Sequence, residues 1–140
     1  MKFSIQREAL LKPLQTIVGV VERRQTLPVL SNILVAVSSD RLSMTATDLE
    51  VEMIARIPLD NAQPGDITIP ARKIVDICRA LPEGATINIT LDTEKERVSV
   101  QSGRSRFNLT TLPITDFPSV DEITSQFEFS LPQNVLKHLI

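Results

Sequence analysis

Side chains able to do covalent chemistry are scarce and poorly spaced in this chain of 140 residues. Its one histidine is His138, and its one cysteine, Cys78, falls on the apolar side of an amphipathic stretch. A nucleophile needs a base within hydrogen-bond reach and a third group to orient that base. No Ser-His-Asp or Cys-His set can be assembled from these residues. Zinc ligands at usable spacing are lacking, and the four glycines supply no phosphate-cradling loop. Asp48 and Glu50, in Thr47-Asp48-Leu49-Glu50, could be imagined as an acid–base pair. The residue types favour a different reading, in which Asp48 caps a tight turn through its side chain and Glu50 is solvated. No catalytic residue, metal site or cofactor is expected.

Basic residues offer more. The whole chain carries 15 Lys and Arg against 17 Asp and Glu, a net charge of −2. One helical stretch, Arg7 to Arg24, holds Arg7, Lys12, Arg23 and Arg24 against Glu8 and Glu22. A second, Ala71 to Leu81, holds Arg72, Lys73 and Arg79 against Asp76. Each is therefore +2, and the rest of the chain is −6. An acidic protein with its positive charge gathered on two helices has an electrostatic face suited to a polyanion. Contacts of that kind go to phosphates, blind to sequence and sensitive to salt. The alternative is that the charges merely solvate the outer faces of two amphipathic helices.

The elements that would position these residues follow from periodicity. Met1–Ile5 has the alternation of a strand, and Arg7–Arg23 that of a helix with Leu10, Leu14, Ile17, Val18 and Val21 on one face. Pro13 should bend that helix or weaken one turn. Strands follow at Leu30–Ser38, Leu42–Thr47 and Val51–Ile57. The order then repeats: strand Asp66–Ile69, helix Ala71–Leu81 with Ile74, Val75, Ile77, Cys78 and Leu81 inward, and strands Ala85–Asp92, Arg97–Gln101 and Ser105–Leu112. The fold class is α+β, a duplicated βαβββ unit whose β–β connections are short enough for antiparallel pairing. A longer echo also appears. Phe3-Ser4-Ile5, Leu10 and Leu14 return as Phe129-Ser130-Leu131, Leu136 and Ile140, at a constant offset of 126. This predicts one complete unit over 1–118, a connector at 119–126 inside the acidic stretch 113–126, and the opening strand and helix of a second unit over 127–140. A single cysteine fits a reducing compartment. Lys2, Arg7, Glu8 and Lys12 interrupt the N-terminus before any secretory apolar core, and the uncharged run Gln25 to Ser39 is too short and polar for a bilayer. Cytoplasm is the expected location.

The run Ser102-Gly103-Arg104-Ser105-Arg106-Phe107-Asn108-Leu109-Thr110-Thr111-Leu112-Pro113 closely resembles the sliding-clamp family, the beta subunits of bacterial DNA polymerase III. Leu27-Pro28-Val29-Leu30, Thr47-Asp48-Leu49-Glu50, Pro70-Ala71-Arg72-Lys73, Met1-Lys2-Phe3 and Leu81-Pro82-Glu83-Gly84-Ala85 match it too, in order along the whole chain. The resemblance implies the DNA-clamp fold, with two helices packed on two four-stranded antiparallel sheets. It also implies three such domains per chain. Two chains would close head to tail as a homodimeric ring around duplex DNA, helices lining the hole. The function implied is that of a processivity factor in DNA replication. Such a factor is an accessory subunit of a DNA-directed DNA polymerase, without a catalytic site of its own.

By the same resemblance Arg24 matches a position that contacts DNA, and Lys12, Arg72 and Arg79 would line the hole, although each could instead pair with Glu8, Asp76 or Glu83. Lys73, Ile77, Phe107 and Leu109 match the ring-closing surface, with Arg104 and Arg106 as its charged rim. Phe107 and Leu109 share one face of a strand, so a plain core role competes for both. The replicative polymerase and clamp loader would engage the second and third domains, leaving this piece monomeric and unable to encircle DNA. Two other classes remain open: a sequence-independent DNA-binding module that forms no ring, and a β-rich interaction domain indifferent to DNA.

Overall fold

Period-two alternation sets the strands. Arg97–Ser102, for example, buries Val98, Val100 and Ser102 while Arg97 and Gln101 face water. The computed structural model describes residues 1–21, 27–118 and 126–140. In chain order the elements are β1 (Lys2–Gln6), α1 (Arg7–Ile17), β2 (Asn32–Val37), β3 (Arg41–Thr47), β4 (Glu52–Pro58), β5 (Gly65–Pro70), α2 (Ala71–Ala80), β6 (Thr86–Asp92), β7 (Arg97–Ser102), β8 (Ser105–Thr110) and α3 (Gln133–Leu139). Short 3-10 turns occupy Val18–Val20, Pro28–Ser31 and Ile114–Asp116.

Two four-stranded antiparallel sheets result, ordered β1-β6-β7-β8 and β4-β3-β2-β5. Each half of the duplicated unit lends its leading strand to the other half's sheet. Thus β1 pairs with β6, placing Phe3 opposite Ile89 and Ile5 opposite Ile87, and β5 pairs with β2, placing Ile69 opposite Ile33. The exchange interlocks the halves around one core. Leu10, Leu14 and Ile17 of α1 and Ile74, Val75 and Cys78 of α2 meet the inner faces of both sheets there. A fully buried leucine or isoleucine in such a core contributes about 1.5–3 kcal/mol.

Departures from the periodic reading have local causes. Helix α1 stops at Ile17 and tightens into the 3-10 turn Val18–Val20, short of the expected Arg23. The run Thr16-Ile17-Val18-Gly19-Val20-Val21 explains this, since β-branched residues and glycine are poor helix formers. Helix α1 does continue through Pro13, whose missing N–H would have bonded the carbonyl of exposed Ala9. Pro28 opens a 3-10 turn, so β2 starts at Asn32 rather than Leu30. No strand forms at Phe129–Leu131; Phe127 and Phe129 are 90% and 82% exposed. A strand is held only by a neighbouring ladder, and no described strand lies alongside. The helix expected to follow is present as α3, with Leu136 and Leu139 exposed.

Beyond β8 the chain crosses the edge of the second sheet. Buried Thr68 donates its hydroxyl to the carbonyl of Leu112 at 2.7 Å and accepts from the Asn32 amide at 3.0 Å. Phe117 then packs with Val29 and Leu30 in a small separate cluster. The first residues of the stretch expected as an acidic connector are thereby fastened to the unit before them. Residues 119–125 lie outside the described residues.

Candidate nucleic-acid interface

Helices α1 and α2 lie side by side, each with one face in the core. At about 100° per residue, Arg72, Asp76 and Arg79 fall within about 60° of one another on the outer side of α2. All three are exposed. Lys73 sits on the opposite flank of that exposed arc and is exposed as well, whereas Ile77 turns inward and is 7% exposed. On α1, Lys12 is exposed between buried Leu10 and Leu14. Lys12, Arg72 and Arg79 therefore share the exposed helical side of the molecule. Arg24 and Arg23 lie outside the described residues.

Two arginines are drawn into the fold by backbone carbonyls. Arg7 is half-buried; its Nε donates to the carbonyl of Cys78 at 2.7 Å, near the end of α2, and its Nη1 pairs with Glu8 at 3.2 Å. It cannot also serve as a free cation at the surface. Arg72 Nη2 donates to the carbonyl of Val21 at 3.0 Å, joining α2 to the turn that follows α1. Neither bond carries a local sequence signal. Val18, Arg72, Val75, Asp76 and Arg79 enclose a groove of about 310 Å³ between that turn and α2.

Carboxylates are used structurally. Glu8 accepts from the Gly84 amide at 2.9 Å and from Arg7, and the Gly84 bond foremost holds its carboxyl below the ordinary value of 4.5. Asp48 accepts from the Val51 and Glu50 amides at 2.7 and 2.9 Å, which hold its carboxyl below the ordinary 3.8. This is the turn cap its sequence suggests. It steadies Leu49 at φ 80°, a left-handed conformation that a leucine rarely adopts. Both carboxyls lose their protons more readily in the folded chain than in the unfolded one. Their contribution is complete above the ordinary carboxylate values and is lost as pH falls through the depressed folded ones. Thermal unfolding followed from about pH 6 to about pH 2.5 should show a falling midpoint, and Asp48→Asn should flatten part of that fall. A variant curve parallel to the parent's would show that Asp48 titrates alike in both states.

The free edge of the first sheet is β8, which pairs only with β7. Leu109 stands opposite fully buried Val98 and is 8% exposed, so it is a core residue. Phe107, opposite Val100, is half-buried and packs against the same core. Helical spacing and strand alternation thus turn Ile77 and Leu109 mostly inward, at 7% and 8% exposed. Phe107 keeps an accessible side, and Arg104 and Arg106 are exposed, Arg106 Nε donating to Ser99 Oγ at 3.3 Å. Cys78 is a buried thiol whose burial pushes it up to about 11, as befits a packing residue. Among the described residues no group of His, Cys, Asp and Glu could hold a metal ion, and no helix is long and apolar enough to cross a membrane.

Residues 1–121 match the family model described as DNA polymerase III beta subunit, N-terminal domain. Beta sliding clamps of Pseudomonas aeruginosa and Escherichia coli K12 are 56% and 55% identical to this chain over 141 aligned positions. The alignments take in 100% of this chain and 38% of each clamp, so the chain spans well under half the length of these relatives. The crystal structure of DNA polymerase III subunit beta from Pseudomonas aeruginosa superposes with a TM-score of 0.95 at 54% identity, covering 99% of this chain and 37% of that one. The DNA polymerase sliding clamp from Caulobacter crescentus gives a TM-score of 0.83 at 47% identity over 87% of this chain and 33% of its own.

Proposed function

The chain belongs to the DNA polymerase III beta subunit family, whose N-terminal domain it matches, and from that premise we propose that it forms the first domain of a ring-shaped sliding clamp. The ring encircles duplex DNA, slides without sequence preference and tethers the replicative polymerase during chromosome replication. The observation that carries this reading is the placement of Lys12, Arg72 and Arg79 on the exposed helical side of a chain whose net charge is −2. A basic lining attracts the duplex weakly while an acidic exterior repels it, so the protein is held by topology more than by affinity.

The domain runs over 1–118, and Phe117 packed beside Val29 and Leu30 supports an end there. Residues 119–126 connect it to a second domain of the same fold, opening over 127–140, and α3 supports that opening. Ring closure to a partner chain uses the free edge of β8 with Phe107, the rim Arg104 and Arg106, and the Lys73 flank of α2. Ile77 and Leu109 back that surface from the core. Arg24 is a further DNA contact on the grounds of family resemblance. The polymerase and the clamp loader dock on the regions beyond this domain. The clamp works in the cytoplasm, is no enzyme, and leaves nucleotidyl transfer to its polymerase.

Retention on DNA tests the reading. A chain of the relatives' full length carrying this domain, loaded on nicked circular plasmid, should stay bound for minutes and run off within seconds of linearisation. Equal release from circle and line would favour a module that binds duplex without enclosing it.

A further inference from the structure

We propose that Asp76 limits the affinity of the helical face for DNA, acting as a repulsive group set among phosphate-attracting arginines. The inference rests on the clamp reading above. Asp76 shares with Arg72 and Arg79 the groove of about 310 Å³ between α2 and the Val18–Val21 turn, and all three are exposed. No described basic residue forms an ion pair with it there. Among the described residues the ion pairs are Arg7–Glu8 and Lys95–Asp92, and Asp76 belongs to neither. Arg72 precedes Asp76 by four residues, the weaker order for a helical pair, and its Nη2 is drawn instead to the Val21 carbonyl. Arg79 follows by three residues, in the favourable order, yet forms no ion pair with it.

A phosphate approaching Arg72 and Arg79 therefore meets the Asp76 carboxylate in the same groove. Two like charges about 6 Å apart in a watery groove repel enough to weaken binding about threefold. The repulsion is screened beyond about 10 Å at 0.1 M salt, so it acts on a phosphate seated in the groove and little on more distant ones. A ring that must slide gains from this: the basic residues keep the duplex centred, and the carboxylate prevents any one phosphate from being held.

The sign of the effect separates this role from the ordinary one. An aspartate that held Arg72 and Arg79 in place would, on removal, weaken DNA binding. Asp76→Asn in the full-length protein should instead tighten binding to a short linear duplex about threefold at about 50 mM salt, the gain fading by about 300 mM. Asp76→Glu, which keeps the charge, should bind like the parent, and the thermal midpoint of both variants should stay unchanged. Equal or weaker binding by Asp76→Asn, with the parent binding in a salt-dependent way, overturns this role and leaves the clamp reading intact. A parent without salt-dependent binding overturns both.

Discussion

Reversing the charge at Lys12 and Arg79 together, Lys12→Glu with Arg79→Glu, is expected to weaken duplex binding by the full-length protein on the order of thirtyfold at about 100 mM salt. Both side chains are exposed, and neither takes part in an ion pair with a described residue. Their charges are thus available to the duplex rather than spent within the fold. Each lost phosphate contact should also lower the slope of log affinity against log salt by about 0.9, so the double variant should be flatter by nearly two. The thermal midpoint should hardly move, because exposed surface substitutions away from caps and networks usually stay within about 0.5 kcal/mol. Arg7→Glu is the informative contrast. Its guanidinium bonds the Cys78 carbonyl and Glu8, so that change should lower the midpoint. Unchanged DNA binding by the Lys12, Arg79 variant would remove the helical face from the mechanism.

The second large effect divides β8 between fold and assembly. Leu109→Ala should destabilise the domain by about 3 kcal/mol, since it opens a cavity opposite buried Val98. Phe107→Ala should cost less stability, because Phe107 is only half-buried. It should instead raise the dissociation constant of the full-length dimer about thirtyfold, as truncation of an aromatic anchor at the centre of an interface does. Mass measurement across a dilution series, beside a thermal midpoint on each variant, reads both quantities. A Phe107→Ala protein that stays dimeric but melts as early as Leu109→Ala would return Phe107 wholly to the core. The edge position of β8 supports the first outcome, since its outer N–H and C=O groups have no ladder partner among the described residues.

Several features were legible in the residues because their cause is local. Alternation in Arg97-Val98-Ser99-Val100 marks a strand wherever it lies, and the Asp48 turn cap needs only its own side chain and the next three residues. The net positive charge of the two helical stretches followed from counting alone. Other expectations failed where local and long-range demands differ. Phe129-Ser130-Leu131 has strand composition, yet no ladder partner lies beside it. The apolar period through Val21 exceeds the helix because propensity, not periodicity, sets where α1 stops.

By itself the sequence determined the order and type of the elements from β1 to β8, the net acidity with its basic helical stretches, the shortage of catalytic groups and the likeness to sliding clamps. Tertiary structure alone decided that β1 and β5 change places between the sheets, that Arg7 and Arg72 reach carbonyls 71 and 51 residues away, and that Ile77 and Leu109 are spent on the core. The physical reason is the same in each case. Periodicity and propensity act over a few residues, whereas a ladder partner, a distant carbonyl or a place in the core exists only once the chain has closed on itself.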